Sequence, residues 1–234
     1  MAPTNEDKHR ETYEAAQNAV RALDPTATAE RCGARWLPAG GGGGSSDAGS
    51  GSSGGRDDGS EGGSGTMELE ALGHMARIAW PALTFEADHP LLQTFPWRLI
   101  ALHYLATATS RPIGENWVSY RELPDGLFYA DTITREVEEP LARLFATDTE
   151  RFLTAGAQAG GVPGRLADVS LTFLPLPKVP VVFALWAEDE EFPATLKVLY
   201  EREGAANVPL QDLRILADLL GAALRRGGGP PAGR

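Results

Sequence analysis

The run VVFALWAEDEEFP, Val181 to Pro193, sets seven consecutive apolar residues directly against four consecutive carboxylates. Its apolar half is too short for a helix and too rich in β-branched and aromatic side chains, so it predicts a strand covered on both faces. Upstream, Val169, Leu171 and Phe173 alternate strictly with Asp168, Ser170 and Thr172, the pattern of a half-exposed strand. Downstream, Leu196, Val198 and Tyr200 alternate with Thr195, Lys197 and Glu201 in the same way. The segment PLPKVP between the first two withholds ladder donors and forces a turn. Sequential strands with short connections make an antiparallel meander with VVFALWA in the middle, and the carboxylates occupy the turn that leaves it.

Helices supply the rest. Tyr13, Ala16, Val20 and Leu23 recur at helical spacing behind a Thr4/Asp7 capping pattern and stop at Asp24-Pro25. A second helical piece runs from Thr26 to Gly33, and RWLP after it is extended. Met67 to Gly73 and Met75 to Leu83 read as a hairpin or as strands joining the sheet. From Pro96, Leu99, Leu102, His103 and Ala106 form one stripe while Ile100, Tyr104 and Leu105 place apolar groups elsewhere, so this helix is buried and is the main packing partner of the sheet. Trp117, Val118 and Tyr120 mark a short strand that Pro124-Asp125-Gly126 turns. Thr132 to Phe145 and Thr149 to Gln158 are amphipathic helices, the first interrupted or kinked near Pro140 and carrying Glu136, Glu138 and Glu139 on its outer side. Pro209 opens a last helix with Leu213, Leu216, Leu220 and Leu224 on one face. The fold class is α+β, an antiparallel meander sheet packed against a buried central helix, with further helices N-terminal, in the middle and at the C-terminus.

Between Gly40 and Thr66 lie 13 glycines and seven serines in 27 residues, with no large apolar side chain. Such a stretch cannot bury enough surface to offset chain entropy, so disorder is expected there, either as an insertion in a surface loop or as a tether between modules. The organisation expected is an N-terminal helical segment over 1–39 that belongs to the main domain, the Gly/Ser-rich insertion over 40–66, the main α+β domain over 67–226 and a disordered tail over 227–234.

With 21 basic against 32 acidic residues the formal net charge is −11, and no basic cluster stands against it. That argues against nucleic acid or an anionic membrane as partner, and leaves a protein partner or a small-molecule ligand. A single cysteine, Cys32, excludes an internal disulfide and a cysteine-only zinc or iron–sulfur site, and fits a reducing cytoplasm. The N-terminal segment has no signal-peptide pattern, and no apolar run approaches bilayer length.

Several segments carry a likeness: His103-Tyr104-Leu105 in a leucine-rich helix, Arg121-Glu122-Leu123-Pro124 after a strand, Trp186 to Pro193 with its acidic Glu-Phe-Pro turn, and Pro209 to Leu213. Together they resemble a bacterial domain-of-unknown-function family found mainly in anaerobes. Some of its members are joined to a putative iron–sulfur cluster domain of corrinoid-protein type. The resemblance covers roughly Leu91 to Leu216 and implies an accessory place in anaerobic corrinoid or one-carbon metabolism. It implies no activity, and this chain lacks the cysteine-rich part.

Glu188, Asp189, Glu190 and Glu191 are a candidate site for a hard cation such as Mg²⁺, Ca²⁺ or Mn²⁺; the other reading is a solvated turn anchored by the Phe192 ring, with one acid paired to Arg121 or another arginine. His103 is a candidate ligand or general base, or else a neutral core histidine. Arg121 and Glu122 could clamp an anionic ligand or form an ion pair that holds the turn. Trp117 and Trp186 are core residues or the walls of a pocket for a planar ligand. No dinucleotide, P-loop, nucleophile-elbow or zincin motif is present, and no cofactor can be named. The leading expectation is therefore a non-catalytic binding protein with its site near Trp186 to Glu191, Arg121 and Glu122. The alternative is a divalent-metal hydrolase or lyase that uses those carboxylates with His103.

Overall fold

The computed structural model describes residues 5–39 and 63–228. The apolar run forms a strand, Val181–Trp186, hydrogen-bonded on both edges within a five-stranded antiparallel sheet. In chain order the strands of this sheet are β5 (Trp117–Ser119), β6 (Val162–Pro163), β7 (Val169–Phe173), β8 (Val181–Trp186) and β9 (Thr195–Glu201), arranged β5-β9-β8-β7-β6. The meander β7-β8-β9 is as the alternation predicts, with Phe183 opposite both Leu171 and Val198. Val181 to Leu185 are all buried, whereas Trp186 at the strand's end is 42% exposed.

The N-terminal strands do not join that sheet. β1 (Arg35–Pro38), β2 (Gly65–Ala71), β3 (His74–Trp80) and β4 (Thr84–Ala87) form a separate four-stranded antiparallel meander in sequence order. Pro38 pairs with Gly65, so the Gly/Ser-rich stretch leaves and re-enters at neighbouring positions of one ladder. Gly65 and Thr66 belong to β2 rather than to that stretch; residues 1–4, with the Thr4 cap, and residues 40–62 and 229–234 lie outside the described residues. Glu68 on β2 stands opposite Arg35 on one side and Arg77 on the other, and accepts hydrogen bonds from both guanidinium groups. The Arg35 bond first, and then the Arg77 bond, hold the buried Glu68 carboxyl below the usual glutamate range against the cost of burial.

Two features join the sheets. The β2–β3 turn consists of Leu72 and Gly73, both at positive φ, the conformation whose twist suits a two-residue hairpin. The Leu72 side chain is nonetheless buried, its N–H donates to Leu174 O at 2.7 Å just beyond β7, and Gly160 lies against its carbonyl. A Cβ on Gly160, itself at φ +80°, would stand 2.4 Å from Leu72 O, so glycine is required there. The second link is Trp97, which meets the Phe85 ring of β4 edge-on and donates its indole N–H to Pro175 O in the β7–β8 connection.

The helices are α1 (Asn5–Arg21), α2 (Pro25–Cys32), α3 (Phe95–Thr107), α4 (Ala130–Ile133), α5 (Glu139–Phe145), α6 (Thr149–Gln158), α7 (Arg202–Ala205) and α8 (Leu210–Gly227). Asp24 caps α2 through Ala27 N–H and Gly33 closes it in the left-handed conformation. Thr94 caps α3, which is buried on most sides, as its all-round apolar sequence predicts. Tyr104 on α3 donates to Cys32 O, and the buried Cys32 thiol points back at Tyr104 O and Leu105 O. Burial pushes that thiol up to about 11, with Arg31 and Lys178 pulling the other way. On α8, Leu213, Leu216, Leu220 and Leu224 are all buried, and the helix runs through Gly227 into what the composition marks as tail.

Phe183→Ala is expected to cost about 3–5 kcal/mol in urea denaturation at unchanged m-value, whereas Phe192→Ala, whose ring is 66% exposed, should cost under about 0.5 kcal/mol. Because Glu68 is depressed in the folded state, its stabilisation is full above its ordinary value of 4.5 and is lost as pH falls through the lower native value. Glu68→Gln should therefore flatten the fall in melting temperature on acidification below about pH 4.5.

Candidate functional site

The helical stretch that begins at Ala130 is interrupted just before Pro140, as the sequence predicts. Thr134–Glu138 is a π-helical turn between α4 and α5. The inserted residue rotates everything beyond it by about 100° relative to a plain helix. Glu136 and Glu139 stay outside as their charge predicts, but Glu138 is corrected from outer to inner: it is only 6% exposed.

What draws it in is the edge of the sheet. β5 covers β9 only at Leu199, Tyr200 and Glu201, which leaves the Val198 N–H without a strand partner on that side. Glu138 Oε1 accepts that N–H at 3.0 Å. Its other oxygen accepts from Lys197 Nζ and from Thr134 Oγ1, both at 2.9 Å. Lys197 lies on the polar face of β9 opposite Ala184, so its aliphatic stem is available to cover that buried alanine while its head reaches round to Glu138. A buried carboxylate with both oxygens engaged is paired and satisfied, the condition under which a buried charge is tolerated.

This pair lies between two cavities. One, of ≈ 290 Å³, is lined by Thr134, Glu138 and Lys197 together with Arg143, Pro193 and Thr195. The other, of ≈ 170 Å³, shares Thr134, Glu138 and Lys197 and adds Ser119, Tyr120 and Arg121. An ammonium has three donors; Lys197 gives one to Glu138, and among the described residues no second acceptor is recorded for it. Arg121 and Arg143 stand on the rims, exposed and paired with Asp131 at 2.6 Å and Glu139 at 3.5 Å. The turn that feeds α4 also carries exposed Leu127, Phe128 and Tyr129.

Arg121 is thus the sequence-level candidate that reaches a cavity. Glu122 accepts from Ser119 N–H and Oγ at 2.8 and 2.7 Å, bonds that hold its carboxyl below the usual range, the side-chain one first. Trp117 is opposite Glu201 and Trp186 opposite Thr195, at the two ends of β9 and about 20 Å apart along it, so no pocket lies between them. Glu188, Glu190 and Glu191 are exposed. Asp189 folds the turn by accepting from Glu191 and Phe192 N–H at 2.8 and 2.7 Å, and Glu188 N–H reaches Ala146 O. The Phe192 ring, at 66% exposure, does not anchor the turn. His103 is far from this constellation in contact terms: its Nδ1 lies 2.7 Å from Asp212, a buried carboxylate in the first turn of α8. Among the described residues no group of three or more His, Cys, Asp or Glu is placed to hold a metal ion.

Lys197 and Glu138 were the residues that pattern reading passes over. The signal available for Lys197 was a lone lysine on the alternating strand; for Glu138 it was the i+3, i+4 and i+7 spacing to Leu141, Ala142 and Phe145, which puts it on the apolar face. Glu138→Ala is expected to destabilise by about 3 kcal/mol, since it strips a buried N–H and an ammonium of their acceptor, and chemical denaturation measures it.

Among the described residues no helix is long and apolar enough to cross a membrane. A family described as Domain of unknown function (DUF3786) matches residues 52–222. No curated protein and no solved structure matches the chain.

Proposed function

Since the chain belongs to the domain-of-unknown-function family DUF3786, whose description names no activity, we propose from its own geometry that it is a non-catalytic protein that binds a small carboxylate or carbonyl ligand at Lys197. One observation carries this reading: a single ammonium, fixed by a buried carboxylate, borders two adjoining cavities and keeps two donors to offer. Arg121 and Arg143 supply further positive charge at the rims. Non-catalytic is the simpler reading because Val198, Lys197 and Thr134 occupy three of the roughly four acceptor positions of Glu138, so that carboxylate is held as a structural partner of Lys197. The hydrolase alternative needs His103 beside at least two of Glu188 to Glu191, and His103 instead meets Asp212.

On this reading the protein is a cytoplasmic accessory factor, and a place in anaerobic corrinoid or one-carbon metabolism is part of the proposal that rests on family resemblance alone. Thermal melting against acetate, succinate, phosphate and a corrinoid tests both parts. A carboxylate at 100 times its dissociation constant should add about 2.7 kcal/mol, a rise of roughly 5–10 °C for a chain of this size, and Lys197→Met should abolish the rise. A carboxylate shift that survives Lys197→Met, or no shift with any probe, overturns the site. A corrinoid shift supports the metabolic placement, and none removes it.

A further inference from the structure

His74 opens β3, and His89 lies just past the end of β4, outside every element used above. Ala76 pairs with Ala87, so counting the ladder two steps further sets His74 across from His89. Their rings are neighbours, with centroids 4.8 Å apart and planes inclined by 36°. His89 is only 8% exposed, and its Nδ1 is buried without a hydrogen-bond partner. His74 is exposed, so its ring can turn about its own side-chain bonds. His89 and Gln158 also line a cavity of ≈ 300 Å³ that Arg226 borders.

We propose that His74 and His89 are a two-imidazole site for one borderline divalent cation of the Zn²⁺, Ni²⁺ and Cu²⁺ class, with its remaining positions open to water or an external ligand. The unpartnered Nδ1 is the first ground. A buried imidazole nitrogen with no partner costs free energy, and a metal ion is a partner that its lone pair can take. The second is access: exposed His74 stands at the mouth of the pair beside buried His89, so an ion can enter from solvent and meet both rings. The third is spacing. Two imidazoles bound at about 2.1 Å to one ion, at angles between square and tetrahedral, hold their centroids roughly 4.6–5.3 Å apart, and the observed 4.8 Å falls inside. Imidazole ligands select borderline metals over Mg²⁺ or Ca²⁺, which prefer oxygen. Arg226 at the cavity makes an anion the favoured external ligand.

The test uses the full chain after chelator treatment, titrated calorimetrically with Zn²⁺, Ni²⁺, Cu²⁺ and Mg²⁺. One equivalent of a borderline ion should bind, Mg²⁺ should not, and His74→Ala should weaken the binding at least tenfold. Because His74 is exposed, that variant keeps the fold. As a second readout, Ni²⁺ should broaden the imidazole NMR signals of His74 and His89 and leave that of His103 sharp. No binding of any of the three ions, undiminished affinity in His74→Ala, or equal broadening at His103 each overturns the proposal.

Discussion

Val181 to Leu185 are buried on both faces of β8, and most of the molecule answers that constraint. A strand apolar on both sides must have both edges paired and both faces covered, or it becomes a site of association. β7 and β9 provide the edges. One face carries Phe183 against Phe173 and, beside it, Leu171 against α6, where Gly156 leaves so little room that a Cβ would meet the Leu171 side chain at 2.3 Å. Covering the strand moves the exposed edge outward to β9, and β5 is too short to close it. Glu138 finishes the task with a carboxylate in place of a strand carbonyl. The polar cluster at Lys197 is in this sense a by-product of sheet closure that geometry has left beside two cavities.

The parts of the fold legible in the sequence are those where side-chain period and burial coincide. The alternation in β7 and β9, the four leucines of α8 and the all-round apolar surface of α3 each report their environment directly. β4 is short, with no apolar pattern of its own to announce it, and exists because β3 needs a partner. The division into two sheets was equally hidden, since nothing local in Met67 to Trp80 says which sheet the hairpin joins. It is decided by RWLP, which reads only as extended but pairs with β2.

The candidate site was less legible for a sharper reason. Charge density drew the reading to Glu188–Glu191, yet dense charge is what solvent tolerates best, and those residues are exposed apart from the backbone bonds of their turn. The informative acid is the one withdrawn from water. Glu138 precedes the buried Leu141, Ala142 and Phe145 by three, four and seven positions, so a wheel drawn at 3.6 residues per turn already sets it on the inner face, and only its charge argued for the outside. His74 and His89 sit 15 positions apart in sequence and become neighbours only through the β3–β4 hairpin and its ladder.

Cys32 has a bearing on how this molecule can be studied. Its thiol is enclosed by α3, faces two backbone carbonyls and stays protonated at neutral pH. An alkylating reagent can therefore reach it only during excursions in which α2 lifts away from α3. As the chain's single cysteine, it acts as a built-in clock, and its modification rate reads out how often the N-terminal layer breathes while the remainder stays folded.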